Sequence, residues 1–137
     1  MNVERHVKKV ARRAIKIAAR EGYLVQFWQK NWSEIWPRQK KIHISRTIGP
    51  RKAVFELLHE LGHLVVTKNK FLKDLFPAGI RARESRRNVN KVDIWGEEIL
   101  CWKLGLVLAK RLRIKISERG YTRHAASRIS NGIISSW

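Results

Sequence analysis

The stretch from Ala53 to Val66 reads as a helix that faces inward, yet it carries ionisable side chains. Val54, Leu57, Leu58, Leu61, Leu64 and Val65 recur in the i, i+3, i+4, i+7 rhythm of a helix. Gly49-Pro50 marks a loop-to-helix boundary ahead of it, and Thr67-Lys68-Asn69-Lys70 marks its exit. Inside it lies His59-Glu60-Leu61-Gly62-His63. Residues four apart on a helix sit one above the other, so His59 and His63 share a face, with Glu60 one step round. Buried His and Glu are costly without partners, and a shared metal ion would be one. The run matches H-E-x-x-H, in which two imidazoles hold a zinc ion and the glutamate holds and deprotonates its water.

A catalytic zinc usually takes three protein ligands and leaves one position open. The metzincin extension would need Gly and His seven and ten residues after His59, where Val66 and Asn69 stand instead. The third ligand therefore comes from elsewhere, and Glu84, Glu97, Glu98, His43 and His124 are the candidates. Val92 to Arg113 forms a second apolar-periodic segment, with acidic residues early and basic ones late, as the helix dipole favours. Asp93 is its expected N-cap. Glu98 shares a stripe with Cys101 and Gly105, small residues that would let this helix approach the motif helix next to Gly62. Glu97 shares a stripe with Leu100, Leu104 and Val107, which reads as bulk core. Glu98 is the preferred ligand and Glu97 the alternative, with zinc as the expected cofactor and Glu60 as the catalytic base. Cys101 is expected to be a small core residue.

The run Leu57 to His63, followed by Glu98-Ile99-Leu100-Cys101-Trp102 on a later helix, resembles small gluzincin-type metallopeptidase domains. The likeness is closest to the ImmA/IrrE-like peptidases and related small peptidases encoded by bacteriophages and mobile elements. In these a Glu is followed three positions on by a small residue, which Cys101 matches. The likeness extends over about residues 1–113. Trp102 departs from it, since that position often carries a small polar residue. The resemblance implies a zincin-like fold, zinc-dependent hydrolysis of a peptide bond in a specific protein, and a repressor-cleaving role. It also implies that the strand ahead of the motif helix, residues 41–46, borders the cleft and pairs with an extended peptide.

Elsewhere, residues 3–20 read as one helix, its stripe of Val3, Val7, Val10, Ala14, Ile17 and Ala18 set against Arg5, Lys8, Lys9, Arg12, Arg13, Lys16 and Arg20. Tyr23 to Trp28 and Lys40 to Arg46 read as strands, with His43 pointing away from Ile42 and Ile44 toward solvent or a cleft. Trp28, Trp32 and Trp36 lie four apart, so a short helix ending at Pro37 competes over 28–36. Phe71, Leu72, Leu75 and Phe76 form a short apolar helix ahead of a basic loop at about 77–91, and 117–137 is a tail with mixed signals. The expected class is α+β: a minimal zincin-like domain spanning 1–137, with an N-terminal helix, a small antiparallel sheet, and the motif helix packed on a second long helix. In the tail, His124, Tyr121 and Arg123 are candidate donors to a developing oxyanion.

The chain has 137 residues, enough for one domain with a real core. It has no apolar run long enough to span a bilayer and no h-region near its start, and its single cysteine excludes an internal disulfide. These features point to a cytoplasmic protein, in a host cell or virion if phage-encoded. Against 11 Asp and Glu stand 30 Lys and Arg, a formal net charge of +19. Further basic clusters run through Arg81, Arg83, Arg86, Arg87 and Lys91, and through Lys110, Arg111, Arg113, Lys115 and Arg119. A polyanionic partner, nucleic acid above all, is therefore expected beside the peptide substrate. The competing reading is a basic nucleic-acid-binding or virion-associated protein with a structural or vestigial metal site.

Overall fold

The computed structural model describes residues 2–77, 79–80 and 90–136. The fold is mixed α+β, with six helices and a three-stranded sheet among the described residues. Glu84 and most of the Arg-rich run, Arg81 to Arg87, lie outside them, as does Trp137. No helix among the described residues is long and apolar enough to cross a membrane.

The basic N-terminal segment forms two helices rather than one: α1 (Val3–Val10) and α2 (Arg12–Arg20). They meet at Ala11, whose φ of −111° and ψ of 30° leave the helical region. Packing explains the break, because Val7, Ala11, Ala14 and Ala18 are all 0 % exposed and the bend keeps this small-residue stripe on the core. All seven basic residues of the opposite stripe are exposed. A left-handed Gly22 (φ 81°) ends α2, with Tyr23 N–H bonded to Ala18 O and Gly22 N–H to Ala19 O.

Three strands follow: β1 (Leu24–Trp28), β2 (Glu34–Trp36) and β3 (Lys41–Ser45). The order is β1-β3-β2, with β1 parallel to β3 and β2 antiparallel to it. The expected antiparallel sheet is thus a mixed one, and β3, expected to receive a substrate, is its central strand with both edges already bonded. Residues 29–33 make the crossover that forces this order. They are pinned by Trp28 Nε1–H to Trp32 O (2.6 Å), Ser45 N–H to Ser33 Oγ (3.0 Å) and Ser33 Oγ–H to Glu56 Oε1 (2.7 Å). There is no helix over 28–36. Ile35, Ile42 and Ile44 turn to the core, as the alternation in β3 predicts.

Helix α3 (Pro50–Lys68) carries the motif and starts with Pro50 at its first position, after Gly49 at φ 90°. Every residue from Ala53 to Leu64 is buried, so α3 is the central rod of the molecule. Asn69 caps the short α4 (Lys70–Leu75), whose Phe71 and Leu75 are exposed. Helix α5 (Lys91–Arg111) is capped by Asn90, not Asp93, which sits inside the first turn. Its buried face runs Ile94, Glu97, Cys101, Trp102, Gly105, Ala109, while Leu100 and Leu104 are half-buried and Val107 is exposed. The tail is one helix, α6 (Glu118–Ser136), capped by Ser117 Oγ.

Helices α3 and α5 share the largest contact in the molecule, and glycines make it possible. A Cβ on Gly62 would lie 2.5 Å from the Cys101 carbonyl oxygen and 2.9 Å from its Cα. One on Gly105 would lie 2.9 Å from the Leu58 carbonyl and meet the Tyr121 hydroxyl. The close approach expected from Gly62, Cys101 and Gly105 is present.

Candidate metal centre

The α3–α5 contact brings the motif histidines onto the start of α5. His59 Nε2 lies 2.9 Å from Glu98 Oε2, and His63 Nε2 lies 3.0 Å from Glu98 Oε1. Ligand atoms of His59, His63 and Glu98 all fall within 4.8 Å of one another. His59 Nε2 is buried and, although close to Glu98, is not aligned for a hydrogen bond with any described group. Two imidazole nitrogens and a carboxylate with one orphaned donor atom are the chemistry of a zinc site, and the residues fit that ion.

Glu97 faces the other side of the same ring. Its Oε2 lies 2.6 Å from His63 Nδ1, and both side chains are 1 % exposed. In a neutral His63 this carboxylate would hold the ring proton on Nδ1 and leave Nε2, 3.0 Å from Glu98, as the nitrogen a metal could take. The sequence placed Glu97 in bulk core; it is indeed buried, but with its carboxylate on a histidine. His63, Glu97 and Cys101 form a second group that could hold a metal. Here the His63–Glu97 hydrogen bond already satisfies the Nδ1 side, and neither Glu97 nor Cys101 lines the cleft. By contrast His59, Glu60, His63 and Glu98 all line an open cleft of about 600 Å³.

His59 is held differently. Its ring stacks on Trp102 at 4.1 Å and 11°, and its Nδ1 lies 3.2 Å from Glu60 Oε1. The Trp102 carbonyl accepts the Tyr121 hydroxyl at 2.5 Å, which anchors the stacking plate to α6. Burial disfavours a charged His59, but the Glu98 and Glu60 carboxylates outweigh it and raise its pKa to about 8. Burial also opposes charge on His63, yet its pKa lies well above the ordinary value; Cys101 would raise it most, but only as a thiolate, and the Glu98 charge and Glu97 hydrogen bond act in the same direction. Burial pushes the Cys101 thiol up to about 11, so it is neutral near pH 7 and the carboxylates act on His63 in practice. Burial would raise Glu98, but the two histidines hold it well below the ordinary carboxylate value.

The remaining candidates lie apart. His43 is not in the cleft: it stacks on Trp28 at 4.4 Å and meets Trp36 edge-on at 5.3 Å, on the sheet face away from the core. Burial first, then Lys41, lowers its pKa. His124 is buried, its Nε2 2.8 Å from Glu56 Oε2, and Tyr121 spends its hydroxyl on Trp102. Neither borders the cleft, and Arg123 is exposed. The tail residue that reaches the cleft is Arg128, which the sequence reading missed. Its Nε–H donates to Glu56 Oε2 at 2.6 Å and its Nη2–H to Asn31 O at 2.8 Å. Burial would raise the pKa of Glu56, but hydrogen bonds from His124 and Ser33 and the charge of Arg128 lower it. No local pattern in the tail distinguishes Arg128 from its neighbours; the only signal was that buried Glu56, one turn before Glu60, needs a counter-charge.

Compared with family models, curated proteins and solved structures, the chain has no match.

Proposed function

We propose that this chain is a zinc-dependent peptidase of the HExxH…E type, acting on a peptide segment laid across the cleft. The observation that carries this reading is the convergence of His59, His63 and Glu98 at a cleft that Glu60 also lines. The ImmA/IrrE-like resemblance agrees with it through the motif residues, and a zincin-like architecture is part of the same proposal. Zinc held there would supply a Lewis acid and lower the pKa of a water. Glu60, 3 % exposed, would act as the general base, taking a proton from a water in the cleft and passing it to the leaving amine. Glu97 and Trp102 hold the imidazole rings in place. Arg128 lines the cleft with its Nε–H on Glu56 and an Nη2–H on the Asn31 carbonyl, and its remaining N–H donors would meet negative charge developing on the scissile carbonyl. The substrate backbone pairs with β2, since β2 has one partner strand among the described residues and Glu34, Ile35 and Trp36 all line the cleft.

The exposed basic face of α1 and α2 favours a second reading, that of a nucleic-acid-binding protein with a structural metal. The two readings part on one variant. Glu60→Gln should keep zinc and lose about a hundred- to ten-thousandfold of the hydrolytic rate toward the protein substrate. Zinc below about a tenth of an equivalent after metal-replete expression would contradict the peptidase reading. So would binding and function unaltered by Glu60→Gln.

A further inference from the structure

Among the described residues, the lining of the cleft runs against the charge of the molecule. Of the chain's 11 Asp and Glu, Glu34, Glu56, Glu60 and Glu98 line it, whereas Arg128 is the one Lys or Arg among the described residues that does. Arg128 is matched to Glu56, and Glu60 and Glu98 belong to the metal group. Glu34 stands apart from both.

Glu34 is built into a small aromatic frame. Its Oε1 accepts the Trp32 indole N–H at 2.8 Å and its Oε2 accepts the Trp36 indole N–H at 2.7 Å. Neither oxygen is paired with a cation among the described residues. Trp32 and Trp36 are 41 % and 36 % exposed, unusual for the largest apolar side chain, and both border the cleft. A carboxylate oriented by two indoles, with their rings open beside it, offers a cation both an ion pair and π-faces. The chain already makes such a contact nearby: Lys30 Nζ lies 5.0 Å from the Trp28 ring centroid and 5.1 Å from that of Trp32. Lys30 and Trp28 do not line the cleft, so this contact sits outside it while Trp32 also borders the inside.

We infer that Trp32, Glu34 and Trp36 form a subsite for a cationic side chain, Lys or Arg, of the peptide that crosses the cleft. The inference rests on the peptidase reading for the nature of the ligand. Because Glu34 and Trp36 lie two apart on the edge strand β2, a bound segment would offer its cation to the frame while its backbone runs along the strand. The net charge of +19 disfavours a polycation, so the segment is one with a single basic residue in neutral or acidic surroundings. Exposed rings also suit a base-stacking platform, but the carboxylate bridging these two repels a phosphate chain.

The test is a titration of the full-length Glu60→Gln protein with four blocked peptides, Ac-Ala-X-Ala-NH2, where X is Arg, Lys, Leu or Glu. It is followed by the indole N–H signals in NMR. The Arg and Lys peptides should bind about tenfold tighter than the other two and move the Trp32 and Trp36 signals. Glu34→Gln should remove that preference, and Trp36→Phe should weaken it. Equal affinity for all four peptides would overturn the inference, as would a preference that survives Glu34→Gln. Displacement of the peptides by a short oligothymidylate acting on the same two signals would also overturn it, assigning the face to nucleic acid. Cation-selective binding without zinc-dependent hydrolysis by the unaltered protein would instead sink the peptidase reading and leave the subsite standing.

Discussion

Glu97 and Glu98 are neighbours on α5, yet they address opposite nitrogens of one imidazole. Glu98 approaches His63 Nε2 at 3.0 Å, and Glu97 approaches Nδ1 at 2.6 Å. A carboxylate as buried as Glu97 is costly unless it is hydrogen-bonded, and the bond it makes is to His63 Nδ1. Glu97→Gln should weaken zinc binding by about ten- to a hundredfold while leaving the fold intact, as read by competition with a chelator of known affinity. Unchanged affinity would remove the orienting role. The nearness of Glu98 to both histidines was legible in the sequence, because Cys101 and Gly105 announce a close helix contact there. The role of Glu97 was not, because a stripe says that a residue is buried but not which ring atom it meets. Arg128 was less legible still: its partner Glu56 is far away in the chain, and only the docking of α6 brings them together.

At the scale of elements, the metal group depends on how closely α3 and α5 approach. Gly62→Ala would put a methyl group against the Cys101 backbone, which can yield only if α5 moves. That should cost about 1–3 kcal/mol in urea unfolding and also lower zinc affinity, because Glu98 is carried on the displaced helix. Loss of stability with no change in zinc affinity would separate the helix contact from the metal site. Helices α3 and α5 were readable from periodicity, since each is long and apolar. The sheet was readable as strands but not as a topology. The parallel pairing of β1 with β3 is fixed by the 29–33 crossover, whose anchors at Ser45 and Glu56 are tertiary. The break at Ala11 was hidden for a similar reason: alanine favours helix, and only packing bends the chain there.

For the whole molecule, the His59, His63 and Glu98 cluster ties α3 to α5 at the centre of the fold, so its protonation bears on global stability. In the metal-free protein the pKa of His59 is raised from 6.5 to about 8 by its carboxylate neighbours. The stabilisation this gives is fully present below pH 6.5 and is lost as pH rises through about 8. Zinc needs the neutral imidazole, so its binding strengthens over the same interval. The difference in melting temperature between zinc-loaded and metal-free protein should therefore widen as pH rises from about 6.5 to about 8. A constant difference would mean that His59 is not a ligand. The chain's net charge of +19 is not gathered at this site, since Arg128 is the one Lys or Arg among the described residues that lines the cleft. The most direct test of the central claim is the zinc K-edge X-ray absorption spectrum of the loaded protein. The account predicts a first shell of two imidazole nitrogens and carboxylate or water oxygen at about 2.0–2.2 Å, with no sulfur. A scatterer at about 2.3 Å would place the ion on Cys101 with His63 and Glu97, and would contradict the assignment of His59, His63 and Glu98.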